Sequence, residues 1–344
     1  MKRKVLSLLL CVAMVVTMLA GCGGSGAAKN EVGTFALITK AAGNPYNEKI
    51  AAGFKEVIEG AGGTCIIKHP EHATAEDQIT MINELVAQKV STIAIAANDA
   101  DALQPALEAA MKAGIKVSTL DSNTNAASRM VFVNQAGVDI IGQTLMDAVL
   151  DISGGEGQWA ILSATSQAAN QNAWIEAMKK VMEGDAYSKL ELVEVAYGDD
   201  EYQKSVDQTQ ALLANYPDLK VICAPTTVGI MAAAKVLQDQ GVADKVKLTG
   251  LGLPSEMADY IGADAAHSCP YMYLWNPIDV GRLSAHVSMA LHKGEITGAI
   301  GESFTAGNMG NYTISDAGDG GTEIIVGPPF AFTPENINEW KSVY

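Results

Sequence analysis

From Gly33 onward, short apolar, β-branched runs alternate with stretches whose apolar residues recur at helical spacing, one pair about every 25–30 residues. Thr34–Ile38 reads as a strand, followed by a helix over 47–61 with Ile50, Phe54, Val57 and Ile58 on one stripe. Strands over 64–67, 92–96 and 115–120 and helices over 75–88 and 100–113 continue the pattern. These strands are apolar at consecutive positions, so each is expected to be covered on both faces. That is the signature of a parallel sheet between layers of helices, with right-handed crossovers. After 131–135 the rhythm starts afresh, with strands over 159–162, 190–196, 221–224 and 246–250 between helices over 138–150, 173–182, 202–214 and 229–240. The fold class is α/β, as two doubly wound parallel-sheet lobes. An amphipathic helix over 278–292, a Gly/Asn-rich loop over 306–321, a strand-like tail over 322–332 and a short helix opened by Thr333-Pro334-Glu335 complete the reading.

The start of the chain is of a different kind. Lys2, Arg3 and Lys4 precede an apolar run from Val5 to Leu19, and Leu19-Ala20-Gly21-Cys22 closes it. Such a run rises about 22 Å as a helix, short of the roughly 30 Å of hydrocarbon in a bilayer, so residues 1–21 read as an export signal. Leu-Ala-Gly-Cys resembles the bacterial lipobox, which implies lipidation at Cys22. Residues 22–32, with Gly23, Gly24, Ser25 and Gly26, then form a flexible tether. The expected location is extracytoplasmic, lipid-anchored to the cell membrane. The chain of 344 residues is 48% hydrophobic and 18% charged, which suits a globular body too long for one ordinary core. Its formal charge of −16 repels nucleic acid and anionic headgroups, so nucleic-acid binding is not expected, and membrane attachment is expected by lipid only. Cys65, Cys223 and Cys269 match neither a zinc site nor a redox pair and read as free thiols.

In open α/β sheets, ligands bind beyond the carboxyl ends of the strands. Here those ends turn polar. The first lobe offers Lys40, Asn44, Tyr46, Asn98, Asp99, Asp121 and Ser122; the second offers Asn170, Gln171, Pro225 and Thr227. Each Asx or Ser has a plainer reading as a helix cap. Together, one cation, carboxylates and amides suit a neutral polyol, because carboxylates and amides grip adjacent hydroxyls with two atoms each. Tyr46, Trp174 and Trp275 could cover an apolar sugar face. Trp159 reads as strand core and Trp340 as packing or surface.

These residues carry a resemblance. The runs Thr39–Tyr46 (TKAAGNPY), Leu120–Asn123 (LDSN), Phe132–Gln135 (FVNQ), Ala169–Trp174 (ANQNAW), Gly250–Pro254 (GLGLP) and Leu274–Asn276 (LWN) resemble those of type I periplasmic binding proteins. Those proteins are the sugar-binding subunits of ABC importers, and the likeness is greatest to the subgroup binding autoinducer-2 and rhamnose. The resemblance adds Asn276 to the site and implies two lobes joined by three crossings, at Asn134-Gln135, near Tyr273 and at about 304–310. The lobes are then 33–134 with 275–305, and 135–274 with 306–344. It implies closure on a small neutral sugar, delivery to ABC permease subunits and no cofactor. In autoinducer-2 receptors the positions matching Lys40, Asp121, Gln171 and Pro225 contact ligand. Asn170 replaces that group's aspartate, and a small residue near Thr227 is also changed. The lost carboxylate removes an acceptor for the furanosyl hydroxyls, and Ala169–Asn172 and the GLGLP run look more like the rhamnose-binding branch. The expectation therefore leans toward rhamnose or a related deoxy-sugar, with autoinducer-2 as the alternative. A sensor subunit feeding a membrane kinase is a further alternative.

An enzyme is not expected. No nucleophile elbow, phosphate-binding loop or dinucleotide fingerprint is present. His69 and His72 lack supporting ligands for a metal and read as surface. A cytoplasmic repressor of the same fold would carry DNA-binding helices where this chain has its export signal.

Overall fold

The computed structural model describes residues 32–344. The expected signal, the expected lipidation at Cys22 and the expected tether up to residue 31 lie outside them. The elements, in chain order, are β1 (Thr34–Ile38), α1 (Pro45–Gly60), β2 (Thr64–Lys68), α2 (Ala75–Ala87), β3 (Thr92–Ile95), α3 (Ala100–Lys112), β4 (Lys116–Leu120) and β5 (Val131–Asn134). The second series is α4 (Val138–Ser153), β6 (Gly157–Ser163), α5 (Ala169–Met182), β7 (Leu190–Tyr197), α6 (Tyr202–Asn215), β8 (Leu219–Ala224), α7 (Thr227–Asp239), β9 (Lys247–Gly250), α8 (Pro254–Met257) and β10 (Met272–Leu274). The chain ends through α9 (Pro277–Lys293), β11 (Ser303–Thr305), β12 (Asn311–Thr313), β13 (Ser315–Asp316), β14 (Thr322–Ile325), β15 (Phe330–Phe332) and α10 (Ile337–Trp340).

A seven-stranded sheet has the order β13-β14-β5-β4-β3-β1-β2, and a four-stranded sheet the order β7-β6-β8-β9. All neighbours are parallel except the β13–β14 pair. The strand bodies are apolar on both faces, as a helix-covered parallel sheet requires: Phe35, Ala36, Leu37, Ile38, Ile93 and Ile95 are buried in the first, and Trp159, Ala160, Ile161, Val221 and Ile222 in the second. In each sheet the strand order reverses once, between β1 and β3 and between β6 and β8. Such reversals open a crevice at the strands' carboxyl ends.

Local chemistry starts the helices that flank these crevices. Asn44 Oδ1 accepts from Tyr46 N at 2.9 Å with Pro45 in the first turn of α1, and Asn276 Oδ1 accepts from Ile278 N at 3.0 Å with Pro277 in the first turn of α9. α1 and α9 then pack backbone to backbone. A side chain at Gly281 would run into the Ile50 carbonyl, and one at Gly53 into the Ile278 carbonyl.

Three features correct the sequence reading. Residues 322–332 are not one strand of the second lobe. Thr322–Ile325 pairs in parallel with β5 and completes the first sheet, while Phe330–Phe332 pairs antiparallel with β10. Gly327-Pro328-Pro329 breaks the run, since proline cannot donate to a ladder. The segment 306–344 is therefore divided between lobes, and the third crossing lies at 326–329 and not at 304–310. There Val326 N donates to Asn134 O at 2.8 Å, so this crossing runs beside the first. Residues 303–313 form a β11–β12 hairpin instead of a plain loop. Trp159 is core, and Trp340 packs with Phe330, Phe332 and Tyr344, fastening the tail. Cys65, Cys223 and Cys269 are free thiols; burial pushes Cys65 up to about 11. Among the described residues no helix is long and apolar enough to cross a membrane.

Candidate functional site

A cleft of about 410 Å3, its mouth included, opens where the carboxyl ends of both sheets meet. Its first half comes from the turns after β1, β4 and β10. Asp121 follows β4 in the left-handed region (φ 59°), a conformation aspartate tolerates better than most side chains. Its Oδ1 accepts from the Tyr46 hydroxyl at 2.7 Å, and Trp275 Nε1 donates to that same hydroxyl at 2.6 Å. The chain of donors fixes the carboxylate and both aromatic rings at once. Trp275 also meets Trp174 edge-on, with ring centres 5.6 Å apart, so indoles from both sides form one apolar wall.

The second half comes from the ends of β6, β7 and β8. The Gln171 carbonyl oxygen accepts from Ser163 Oγ and Ala164 N, each at 2.7 Å. Those bonds fill its acceptor positions, leaving the amide NH2 to donate to a ligand. Asp200, also left-handed (φ 54°), accepts from the Thr226 hydroxyl. Of the four non-glycine residues in this region among the described residues, two border this cleft, and backbone strain of that kind gathers at binding sites.

The halves meet through Asn170. Lys40 Nζ donates to its Oδ1 at 3.1 Å, and its Nδ2 lies 3.4 Å from Asp121 Oδ2. Burial raises the Asp121 carboxyl above its ordinary value. The Lys40 charge and the Tyr46 hydroxyl pull it back, and Asp200 pushes it up again. Burial, then the Asp121 charge, holds the Tyr46 phenol well above its usual range, so it is a donor at neutral pH. The arrangement offers a polyol one ammonium, two carboxylates, two amides and an indole wall.

Lys40, Asn44, Tyr46, Asp121, Asn170, Gln171, Trp174, Pro225, Thr227 and Trp275 line the cleft. Four other sequence candidates do not. Asn98 spends its amide on the backbone carbonyls of Lys40 (2.9 Å) and Thr74 (3.3 Å), supporting the Lys40 turn from behind. Asp99 caps α3 through Asp101 N and Ala102 N and borders a separate outer cavity. Ser122 is fully buried beside Asp121, away from the cleft. Asn276 caps α9 and donates to Asp279 at 2.8 Å. Conversely, Asn47 and Asp200 line the cleft with no sequence reading pointing to them, as do Thr226, from the polar end Pro225-Thr226-Thr227, and Leu251 and Leu274, from the GLGLP and LWN runs, none of them a site candidate. Leu251 and Leu274 directly follow or end strands, so strand-end position alone could have found them. His69 bonds to Thr39 at 2.8 Å, and among the described residues no group of three or more His, Cys, Asp or Glu could hold a metal.

This architecture recurs in known proteins. A crystal structure of an ABC transporter solute-binding protein from Clostridium phytofermentas with bound L-rhamnose is 64% identical, with a TM-score of 0.90, covering 91% of this chain and 99% of that one. LsrB from Clostridium saccharobutylicum, in complex with AI-2, superposes at a TM-score of 0.82 over 89% of this chain and 99% of that one, at 21% identity, a likeness of fold. The D-ribose/D-allose-binding protein of Pseudomonas aeruginosa is 24% identical over 189 residues, a match spanning 52% of this chain and 57% of that protein's length. A family model described as the periplasmic binding protein domain matches residues 35–296. That match runs through the four-stranded sheet and through β1 to β5 of the seven-stranded one, ending before β13 and β14, and the chain belongs to the periplasmic binding protein domain family.

Proposed function

We propose that this chain captures a neutral deoxy-hexose of the L-rhamnose type in the cleft and passes it, chemically unchanged, to an ABC permease. The observation carrying this reading is L-rhamnose bound to a 64%-identical protein aligned over 99% of its length. The site chemistry agrees. Lys40 and Asp121 grip from one lobe, Asn170 and Gln171 from the other, and Trp174 and Trp275 suit the methyl-bearing face of a deoxy-sugar. Only a closed cleft satisfies both half-sites, so ligand binding favours closure about the three crossings. Lipid attachment at Cys22 would keep the protein beside its permease.

Asn170 supports this choice of sugar. An aspartate there would set a second carboxylate against Asp121 at the present 3.4 Å separation, whereas the amide donates to it. Thermal melting of the purified protein against L-rhamnose, D-ribose, D-fucose and autoinducer-2 tests the reading. At a hundred times its dissociation constant the true ligand adds about 2.7 kcal/mol. L-rhamnose is expected to give the largest shift and to be recovered intact after incubation. A larger shift with autoinducer-2, or conversion of the sugar, contradicts it.

A further inference from the structure

A second cavity, of about 620 Å3 with its mouth, adjoins the sugar cleft on the side of the lobe crossings. Asp121, Asn170 and Trp174 line both spaces, so the two share a wall. The rest of the second cavity is mostly apolar, with Phe132, Val138 and Ala173 among its walls, and Asn134 and Gln135 from the first crossing and Asn123 supply its amides. Its other acids are already engaged. Asp319 pairs with the buried Arg129 at 2.8 Å, and Glu323 accepts from Asn134 Nδ2 at 2.9 Å. Gln135 is 1% exposed, and its side-chain oxygen has no hydrogen-bond partner among the described residues. A buried acceptor left unmade is costly and rare, and a hydroxyl donor would relieve it.

We infer that this chamber is a second subsite, taking a neutral hydroxylated extension of the ligand such as a second sugar ring. The inference rests on the sugar-binding reading above. Asn134 is engaged like the acids, by Glu323 and by Ala136 N, so the Gln135 amide and the Trp174 indole edge are left to meet a hydroxyl and a ring face, and little is left to hold a charged group. The linkage between rings passes where Asn170 Nδ2 meets Asp121 Oδ2. At 3.4 Å this contact is longer than the 2.7 Å bond that Tyr46 makes to the same carboxylate, so it yields first, while Asn170 keeps its bond to Lys40.

The test is calorimetric titration of the purified full-length protein with L-rhamnose and with disaccharides carrying rhamnose at the reducing or the non-reducing end. At least one disaccharide is expected to bind within about tenfold of free rhamnose. Ala173→Phe fills the chamber from a position outside the sugar cleft. It should weaken that disaccharide at least about tenfold and leave rhamnose within about threefold. If the phenylalanine variant melts early, Ala173→Leu serves instead, and the wild-type affinities decide on their own. Rhamnose binding with every disaccharide more than about tenfold weaker, or equal losses for both ligands in the filled variant, overturns the subsite. Absence of binding by rhamnose itself overturns the sugar reading, and the subsite with it.

Discussion

Asn170 stands between Lys40 and Asp121, accepting from the first at 3.1 Å and lying 3.4 Å, donor to acceptor, from the second. The three side chains come from two sheets, and a neutral amide is what lets a lysine and a carboxylate be bridged without adding charge. Asn170→Asp keeps the shape and reverses that role. It sets two carboxylates against each other, so one holds its proton at higher pH and the sugar loses a donor. L-rhamnose affinity at pH 7 should fall by about 1.5–3 kcal/mol, the usual worth of a hydrogen bond to a charged group. Calorimetry at fixed pH reads this; unchanged affinity would show that Asn170 does not touch the ligand.

The raised Asp121 carboxyl predicts an acid limit on binding. On the proposed reading the ionised form accepts sugar hydroxyls, so affinity should fall as pH drops through a folded value above the ordinary 3.8. Apo stability moves the other way. A carboxyl whose folded value is raised opposes folding when ionised, and that cost is relieved on acidification toward its unfolded value. Asp200→Asn removes the neighbouring charge that pushes Asp121 up and should shift the affinity midpoint to lower pH. Titrations from pH 4 to 8 on both proteins check the direction, and a midpoint moving upward contradicts it.

Asp121→Asn should abolish the ligand-induced melting shift without lowering the apo melting temperature. Asparagine accepts the Tyr46 hydroxyl as aspartate does, suits the left-handed backbone at φ 59°, and carries no buried charge. Asp121→Ala is the poorer comparison, since alanine in that conformation costs about 1–2 kcal/mol by itself. Differential scanning calorimetry with and without sugar separates the two effects.

Tyr46→Phe should weaken binding and destabilise together. It removes the bond to Asp121 and leaves the buried Trp275 Nε1 without its acceptor, a loss of about 1–3 kcal/mol. Urea unfolding measures the second part, and a stability change below about 0.5 kcal/mol contradicts the relay.

Gly281→Ala tests the frame behind the site. Its added carbon would meet the Ile50 carbonyl and lie 2.8 Å from Phe54 N, so α1 and α9 must separate. Overpacking of this kind costs about 1–3 kcal/mol. Urea unfolding should show that loss, and calorimetry below the melting range should show sugar binding retained.

Most of the frame is readable because a parallel sheet writes its strands as apolar runs and its binding rim as the polar residues that follow them. Lys40, Asp121, Asn170 and Gln171 fall at such ends. Asn98 and Asn276 fall there too. Asn98 spends its amide on the distant Lys40 and Thr74 carbonyls, which no local pattern announces, whereas Asn276 caps α9 ahead of Pro277, a role the local sequence does signal. Asp200 was missed for the converse reason. In sequence it is one of three consecutive loop acids, and only the hydroxyl of Thr226, arriving from another strand, marks it as part of the cleft. The third crossing was misplaced because the partner of β14 is β5, nearly two hundred residues earlier in the chain. The Gly327-Pro328-Pro329 break was the available signal.

The most direct measurement is a calorimetric titration of wild-type protein and Asp121→Asn with L-rhamnose at pH 7. Saturable one-site binding at about micromolar affinity or tighter, absent in the variant, is the predicted result. No binding by wild type, or equal binding by both, would contradict a two-sided grip on a neutral sugar.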